Sequence, residues 1–488
     1  MSGGDAVIKS GKKHFVINML IMTMTMLFIR VIGMGFNIYF TSVIGASETG
    51  KYHLIFSAYG FMITFAIAGT GLAATRLVTQ VGGCMEAARL AVGKCLKVCG
   101  LFSAAATCAV MWYREPLGQF LVGDTTASLA LGVLASSLIP VAVSAVFRGY
   151  FMAVRRVGTV TISQLAEELS QIGITMWLLK ILKGTDYGYI SMLGGIAGSS
   201  LVAVCFDFFM FRVFTSRGVR CADIPPISYR ELLTISLPVT AGALLRSVLV
   251  LAENMMIPRT FAVYGVADAM GEYGIIKGMS IPLMLFPTVF TTSFSSLLVT
   301  EMSERNAEHK PNGIRYIAGR ACSLTLCFGF LVAGAIVIWH REIASAFYRE
   351  PGVGRYFGAL ALLVIPMYLD TVVDGMLKGL NQQMSSLKYN IVDSVMRVCV
   401  ILCLIPFAGP MGYIAILYIS ELFNLSLSMG RLIKISGLRL RTRYLAVPFG
   451  ACVAAGMSAI ALPGNLIWKM ALYGVVYIVV IGVFEYKP

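Results

Sequence analysis

Residues 139–156 read IPVAVSAVFRGYFMAVRR, and residues 365–382 read IPMYLDTVVDGMLKGLNQ. Laid over one another, Pro140 falls on Pro366, Gly149 on Gly375 and Arg148 on Asp374; at the same offset Glu167 falls on Asp393. A second gapless match joins Gly50-Lys51-Tyr52 to Gly271-Glu272-Tyr273 and runs on to Leu77-Val78-Thr79 and Leu298-Val299-Thr300. The chain therefore holds two copies of one unit, and what that unit is decides the fold.

Composition answers that. Of 488 residues, 58% are apolar and 13% charged, against about 25% charged in a soluble domain. Mean hydropathy is +0.81. A soluble enzyme, a disordered chain and a coiled coil are excluded; an all-α polytopic membrane protein remains. A spanning helix needs about 20 apolar residues, and fourteen such segments run from 15–40 to 466–484, with Gly409-Pro410-Met411 read as a tight turn between the eleventh and twelfth. Helices 1–6 match helices 7–12. Six is even, so both copies enter the membrane in the same direction, as a parallel repeat about an axis along the membrane normal. The expected organisation is an N-terminal lobe at 1–214, a linker at 215–230, a C-terminal lobe at 231–435 and two additional helices at 436–488.

The net charge of +15 follows from topology. With both termini cytoplasmic, inner loops and ends hold 26 of the 39 Lys and Arg, and outer ones hold ten. That bias is the positive-inside rule, so nucleic acid is not called for as a partner, and the densest basic run, Arg431 to Arg443, reads as a loop against anionic membrane lipids. No long loop leaves room for a soluble domain. No phosphate-cradling Gly-rich loop and no His-Glu metal motif occurs, so no catalytic residue, no metal site and no cofactor is expected. The eleven cysteines lie in helices or on the cytoplasmic side, and free thiols are expected throughout.

Function is expected from the few charges inside the membrane, each costing roughly 2.5–3.5 kcal/mol at the helix centre. Arg30 in helix 1 and Arg246 in helix 7 stand at equivalent points of the repeat. Two like charges approaching one cavity call for an anion between them, and the arginine fork suits phosphate or diphosphate. Asn37, further along helix 1, joins this candidate substrate site. Glu253 shares a helix face with Arg246, seven residues away. Glu253 and Asn254, with Asn390 and Asp393 on helix 11, offer oxygen ligands for coupling to sodium or protons, although Asp393 and Arg397 are also spaced to neutralise each other. Arg148 and Asp374, opposite in sign at equivalent positions, form a candidate gate at the inner mouth; Asp374 also has Lys378 as a local partner. Pro140, Pro282, Pro287 and Pro366 interrupt helices and are expected to kink them.

Beyond these features, Arg30-Val31-Ile32-Gly33, then Ile44-Gly45 and Gly50-Lys51-Tyr52, resemble the start of the polysaccharide-transporter branch of the multidrug/oligosaccharidyl-lipid/polysaccharide (MOP) exporter superfamily. The stretch IPLMLFPTVFTTSFSSLLVTEMSE from Ile281 looks like its helix 8, and DGMLKGLNQQMSSLKYNIVDSVMRV from Asp374, followed by GYIAILYISELFN from Gly412, is similar to stage V sporulation proteins of that branch. The resemblance implies two six-helix lobes, two extra helices able to border a polyprenyl tail, and residence in the bacterial plasma membrane. It implies flipping of a polyprenyl-linked saccharide from inner to outer leaflet, with envelope-synthesis enzymes as possible partners. Of the several cavity arginines in the superfamily's lipid II flippases, Arg30 matches the one in helix 1; Phe36 and Asn37 occupy the region of a further one. The competing readings are a cation-coupled multidrug exporter, a membrane-embedded polymerase or ligase of the same saccharides, and a non-transporting scaffold of envelope synthesis.

Overall fold

In the computed structural model, residues 28–485 are described apart from 82–83, 125, 183, 186, 216–227, 439–441 and 462. The start of helix 1, most of the expected linker and part of the basic run after Arg431 lie outside the described residues. The described residues form helices joined by turns and short irregular links, with no strand among them. In chain order the elements are α1 Phe28–Ile44, α2 Ala46–Ile67, α3 Thr70–Gln80, α4 Met85–Leu121, α5 Thr126–Ala153, α6 Val157–Leu182, α7 Ile190–Thr215 and α8 Tyr229–Tyr264. There follow α9 Ala269–Tyr273, a π-helical stretch Gly274–Ser280, α10 Ile281–Leu285, α11 Thr288–Ala307 and α12 Pro311–Phe347. Last come α13 Pro351–Ala359, α14 Val364–Gly379, α15 Gln383–Ser436, α16 Arg443–Ala461 and α17 Leu466–Glu485.

Among the described residues, nine helical spans (α2 and α3 together forming one of them) are long and apolar enough to cross a membrane, and two bent pairs, α9–α11 and α13–α14, bring the number to eleven. α1 is a shorter apolar helix, and α6 carries Glu167 and Glu168 in mid-span. The turn expected at 409–411 is present: Gly409 takes φ 56° and ψ −142° and divides α15 into two helices. Only glycine adopts such a backbone readily. Large apolar side chains face outward all along the chain, among them Trp112, Phe407 and Ile467, each more than 80% exposed. Water would penalise that surface, whereas hydrocarbon accepts it.

Two compact units make up the chain. The first comprises Met1–Phe36 and Lys51–Met255; the second comprises Asn37–Gly50 and Met256–Pro488. These limits differ from the lobes read off the repeat: the C-terminal end of α1 is counted with the second unit, and most of α8 with the first.

In the first unit α5 packs against α3, α4 and α7, and its buried face runs through Leu131, Leu134, Leu138, Val146 and Phe147. In the second, α14 packs against α11, α12 and α15. The repeat is legible in these crossings. A Cβ on Gly149 would strike the carbonyl of Gly71 and the methyl of Ala74; a Cβ on Gly375 would strike Ser295. Ala74 and Ser295 are themselves matched by the second repeat alignment. Thr75 Oγ1 donates to the Gly149 carbonyl at 3.0 Å, and Ser295 Oγ donates to the Thr371 carbonyl at 2.9 Å. Small residues let two helix backbones approach, and a hydroxyl then bridges them.

Prolines act unevenly. The bend of 58° between α9–α10 and α11 falls at Pro287. The π-helical stretch ends next to Pro282, whose ring and missing N–H forbid the regular bond to the preceding turn. Pro140, by contrast, lies within a continuous α5, and the 46° bend before α14 falls ahead of Pro366, at the end of α13. Cys84, at the N-cap of α4, is disulfide-bonded, which corrects the expectation of free thiols throughout. The other described cysteines form no disulfide.

At one helix start, Asp124 Oδ1 accepts the Thr126 N–H at 3.1 Å, and its other oxygen lies 3.2 Å from Lys51 Nζ. The Thr126 backbone N–H first, then the Thr126 hydroxyl and the Lys51 ammonium, hold the Asp124 carboxyl below the usual carboxylate range against the opposing effect of burial. Its stabilisation is therefore complete above the ordinary carboxylate pKa and is lost as pH falls through the depressed folded value. Asp124→Asn should lower stability by about 1 kcal/mol at neutral pH and by less in acid, in thermal unfolding of the detergent-solubilised protein. Gly375→Val should overpack the α11–α14 crossing and lower it by about 1–3 kcal/mol, with Gly149→Val acting alike in the first unit.

Candidate functional site

In the first unit α5, α6 and α7 converge on a half-buried charge network. Arg148, near the end of α5, lies 2.5 Å from Glu167 Oε2 on α6 and 3.4 Å from Asp207 Oδ2 on α7. Its second amine also donates to Ser163 Oγ at 3.3 Å. Asp207 is fully buried. One arginine thus serves two carboxylates, and the three helices are tied at one point. A residue away from Glu167, Glu168 turns toward α1, where its carboxyl lies against Gly33; any side chain at that glycine would collide with it.

The second unit holds the counterpart. Asp393 on the first half of α15 pairs with Arg397 at 2.6 Å and accepts from Ser420 Oγ at 2.5 Å. Arg397 Nε donates to the same Ser420 hydroxyl at 3.0 Å. One turn along α15, Asn424 Nδ2 donates to Asp370 of α14 at 3.1 Å and reaches Asn390 Oδ1 at 3.5 Å. Glu421 stands within electrostatic reach of Asp370, Arg397 and Asp393. Asp374 is bonded to Lys378 at 2.6 Å and to the Ser386 hydroxyl. Four carboxylates, Asp370, Asp374, Asp393 and Glu421, therefore meet two cations, and Asp370 Oδ1 is buried with no hydrogen-bond partner among the described residues. Excess carboxylate, buried at Asp393 and half-buried at the other three, with oxygen ligands around it is the chemistry of a proton or alkali-cation site.

The expected residues fall as follows. Arg30 is exposed on α1 and Arg246 exposed on α8, both on helices whose other residues are mostly apolar, and both are counted in the first unit. Asn37 is half-buried and belongs to the second. Glu253 and Asn254 are buried in the C-terminal half of α8, at 4% and 5% exposure; the Asn254 side-chain oxygen has no hydrogen-bond partner among the described residues. Asn390 and Asp393 come together in one network. Arg148 and Asp374, the expected gate, each find partners within their own unit, and Asp374 keeps its local lysine. Sequence reading missed Asp207, a single acid in the Phe-rich run Phe206 to Phe209, and the roles of Ser420 and Asn424. An acid in so apolar a helix was the available signal; the serine and asparagine offered none.

Comparison with known proteins fits this geometry. A profile of the family described as Polysaccharide biosynthesis protein matches residues 15–262, half of the chain, and the chain belongs to that family. Stage V sporulation protein B of Bacillus subtilis (strain 168) is 20% identical across 97% of this chain and 96% of its own. Sporulation protein YkvU of the same organism is 19% identical over 71% and 78%. Among solved structures, the lipid II flippase MurJ in an inward closed conformation superimposes with a TM-score of 0.74 at 12% identity, covering 95% of this chain and 98% of that one. An inward-facing multidrug resistance MATE family transporter of the MOP superfamily gives 0.67 at 12% identity over 84% and 96%. The chain is a multi-pass bacterial membrane protein with the MOP-superfamily fold.

Removing one member of a buried ion pair strands the other charge. Asp393→Asn should destabilise the protein by about 3 kcal/mol, read as thermal unfolding in detergent. The double change Asp393→Asn with Arg397→Gln should recover most of the loss; equal destabilisation in both variants would show that the pair contributes nothing specific.

Proposed function

We propose that, as a member of this family with this fold, the chain flips a polyprenyl-(di)phosphate-linked saccharide from the inner to the outer leaflet by alternating access. The observation that carries the reading is the exposure of Arg30 and Arg246 on α1 and α8. A guanidinium exposed on a membrane helix faces either lipid or a hydrated path, and the first is costly. Arg246 has no ion-pair partner among the described residues, so an anionic cargo has a free fork to engage. A diphosphate linking a saccharide to a polyprenyl chain meets that requirement. The relatives' names, which speak of polysaccharide biosynthesis, sporulation and lipid II flipping, support the same class of cargo.

Energy for the cycle is proposed to enter through the acid-rich network of the second unit, with Asp370, Asn390, Asp393 and Glu421 taking up a proton or sodium ion; Glu253 and Asn254 form a second candidate on α8. Occupancy of a carboxylate cluster changes its charge, and that change biases which packing of the helices is stable.

Depletion of the protein should cause one lipid-linked saccharide to accumulate on the inner leaflet. Arg30→Ala and Arg246→Ala should each reproduce that accumulation while the protein still inserts. If nothing accumulates and cells instead become sensitive to cationic drugs, the multidrug-export reading replaces this one. Glu421→Gln and Asp370→Asn should abolish the sodium or pH dependence of flipping in proteoliposomes; Glu253→Gln separates the two candidate ion sites.

A further inference from the structure

The two glycines of α13 nearest α12, Gly354 and Gly358, stand one turn apart. A Cβ on Gly358 would lie 2.7 Å from the His340 ring, and one on Gly354 would lie 3.4 Å from the Arg341 backbone. Their bareness lets α13 fold back onto the end of α12, where Trp339 leaves helical geometry at φ −120° and ψ 26°. The fold-back encloses a groove of about 760 Å³ bordered by His340, Arg341, Arg349, Arg355 and Glu350. The three arginines are exposed, and among the described residues none is ion-paired with a carboxylate.

This concentration runs against the charge distribution of the chain. The groove lies at the end of α12 that the positive-inside bias assigns to the outer side, where only ten basic residues are expected in all. Three of those ten fall within fifteen residues of sequence and around one cavity. Orientation gains nothing from them there. Mutual repulsion opposes them, and a single carboxylate, Glu350, offsets only part of it. At the same helix end Val337 and Phe347 are both 49% exposed, an apolar rim of the kind that rests at the hydrocarbon boundary.

The geometry points to an anion site at the outer membrane interface, taking a phosphate monoester or diphosphate group. Arginine forks at 341, 349 and 355 converge on the groove, and guanidinium binds phosphate oxygens in pairs. The apolar rim fits a phosphate carried on a lipid better than one free in water. The site does not depend on which saccharide is transported or on the arginines of α1 and α8.

The test uses the full-length protein purified in detergent. Inorganic pyrophosphate is titrated by calorimetry, and dioleoyl phosphatidate is compared with dioleoyl phosphatidylcholine by native mass spectrometry. Pyrophosphate and phosphatidate should both bind and compete, with phosphatidylcholine retained at least tenfold less. Arg349→Gln with Arg355→Gln should weaken both at least tenfold without altering the unfolding temperature, because both side chains are exposed. Glu350→Gln should tighten binding severalfold. Binding of pyrophosphate with no preference for phosphatidate would assign the site to soluble phosphate compounds. Absence of binding by either probe, or binding indifferent to the arginine substitutions, would overturn it.

Discussion

A charge carried into hydrocarbon must bring its partner with it, and most of this molecule's design answers that constraint. The apolar helices tolerate few charges, and most of the buried ones are gathered into two knots. Arg148 holds Glu167 and Asp207 together across three helices; Asp393, Arg397 and Ser420 close a triangle between the two halves of α15. Breaking either knot would strand a charge among apolar helices, so each also fixes the packing of the helices that contribute to it.

The two knots share one matched point of the internal repeat, an acid in both copies, and differ in the rest of their members. Arg148 occupies the position that Asp374 occupies in the second copy, and Glu167 that of Asp393. The glycine crossings remain interchangeable while the charges do not. Duplication thus supplied two similar scaffolds, and the electrostatics then separated them: one unit has two acids around one arginine, the other four acids around two cations, and each leaves carboxylate oxygen without a hydrogen bond among the described residues, on Asp207 and on Asp370.

Much of this was legible in the sequence because the signals were local or periodic. The repeat gave the paired glycines, and the break at Gly409 followed from a Gly-Pro pair between apolar runs. What escaped was non-local. Asp207 lies far along the chain from Arg148, and no spacing rule joins them. Ser420 and Asn424 are ordinary residues for a membrane helix until the fold turns them toward Asp393 and Asp370. The compact units divide α1 and α8 between them, whereas a hydropathy pattern treats a helix as indivisible. The prolines showed the converse: Pro140 promised an interruption, yet α5 runs unbroken through it.

The matched helices α2–α3 and α9–α11 are both interrupted, but by different chemistry. The first yields at Ala68 and Gly69, both in the left-handed region; the second yields through a π-helical stretch and Pro287. After the interruption the copies are back in step, since Ala74 and Ser295 meet equivalent glycines. The duplicated gene has therefore kept the address of a joint while replacing its hardware. A glycine joint is compliant and a proline joint is stiff, so two arms of one blueprint need not flex alike under the same load.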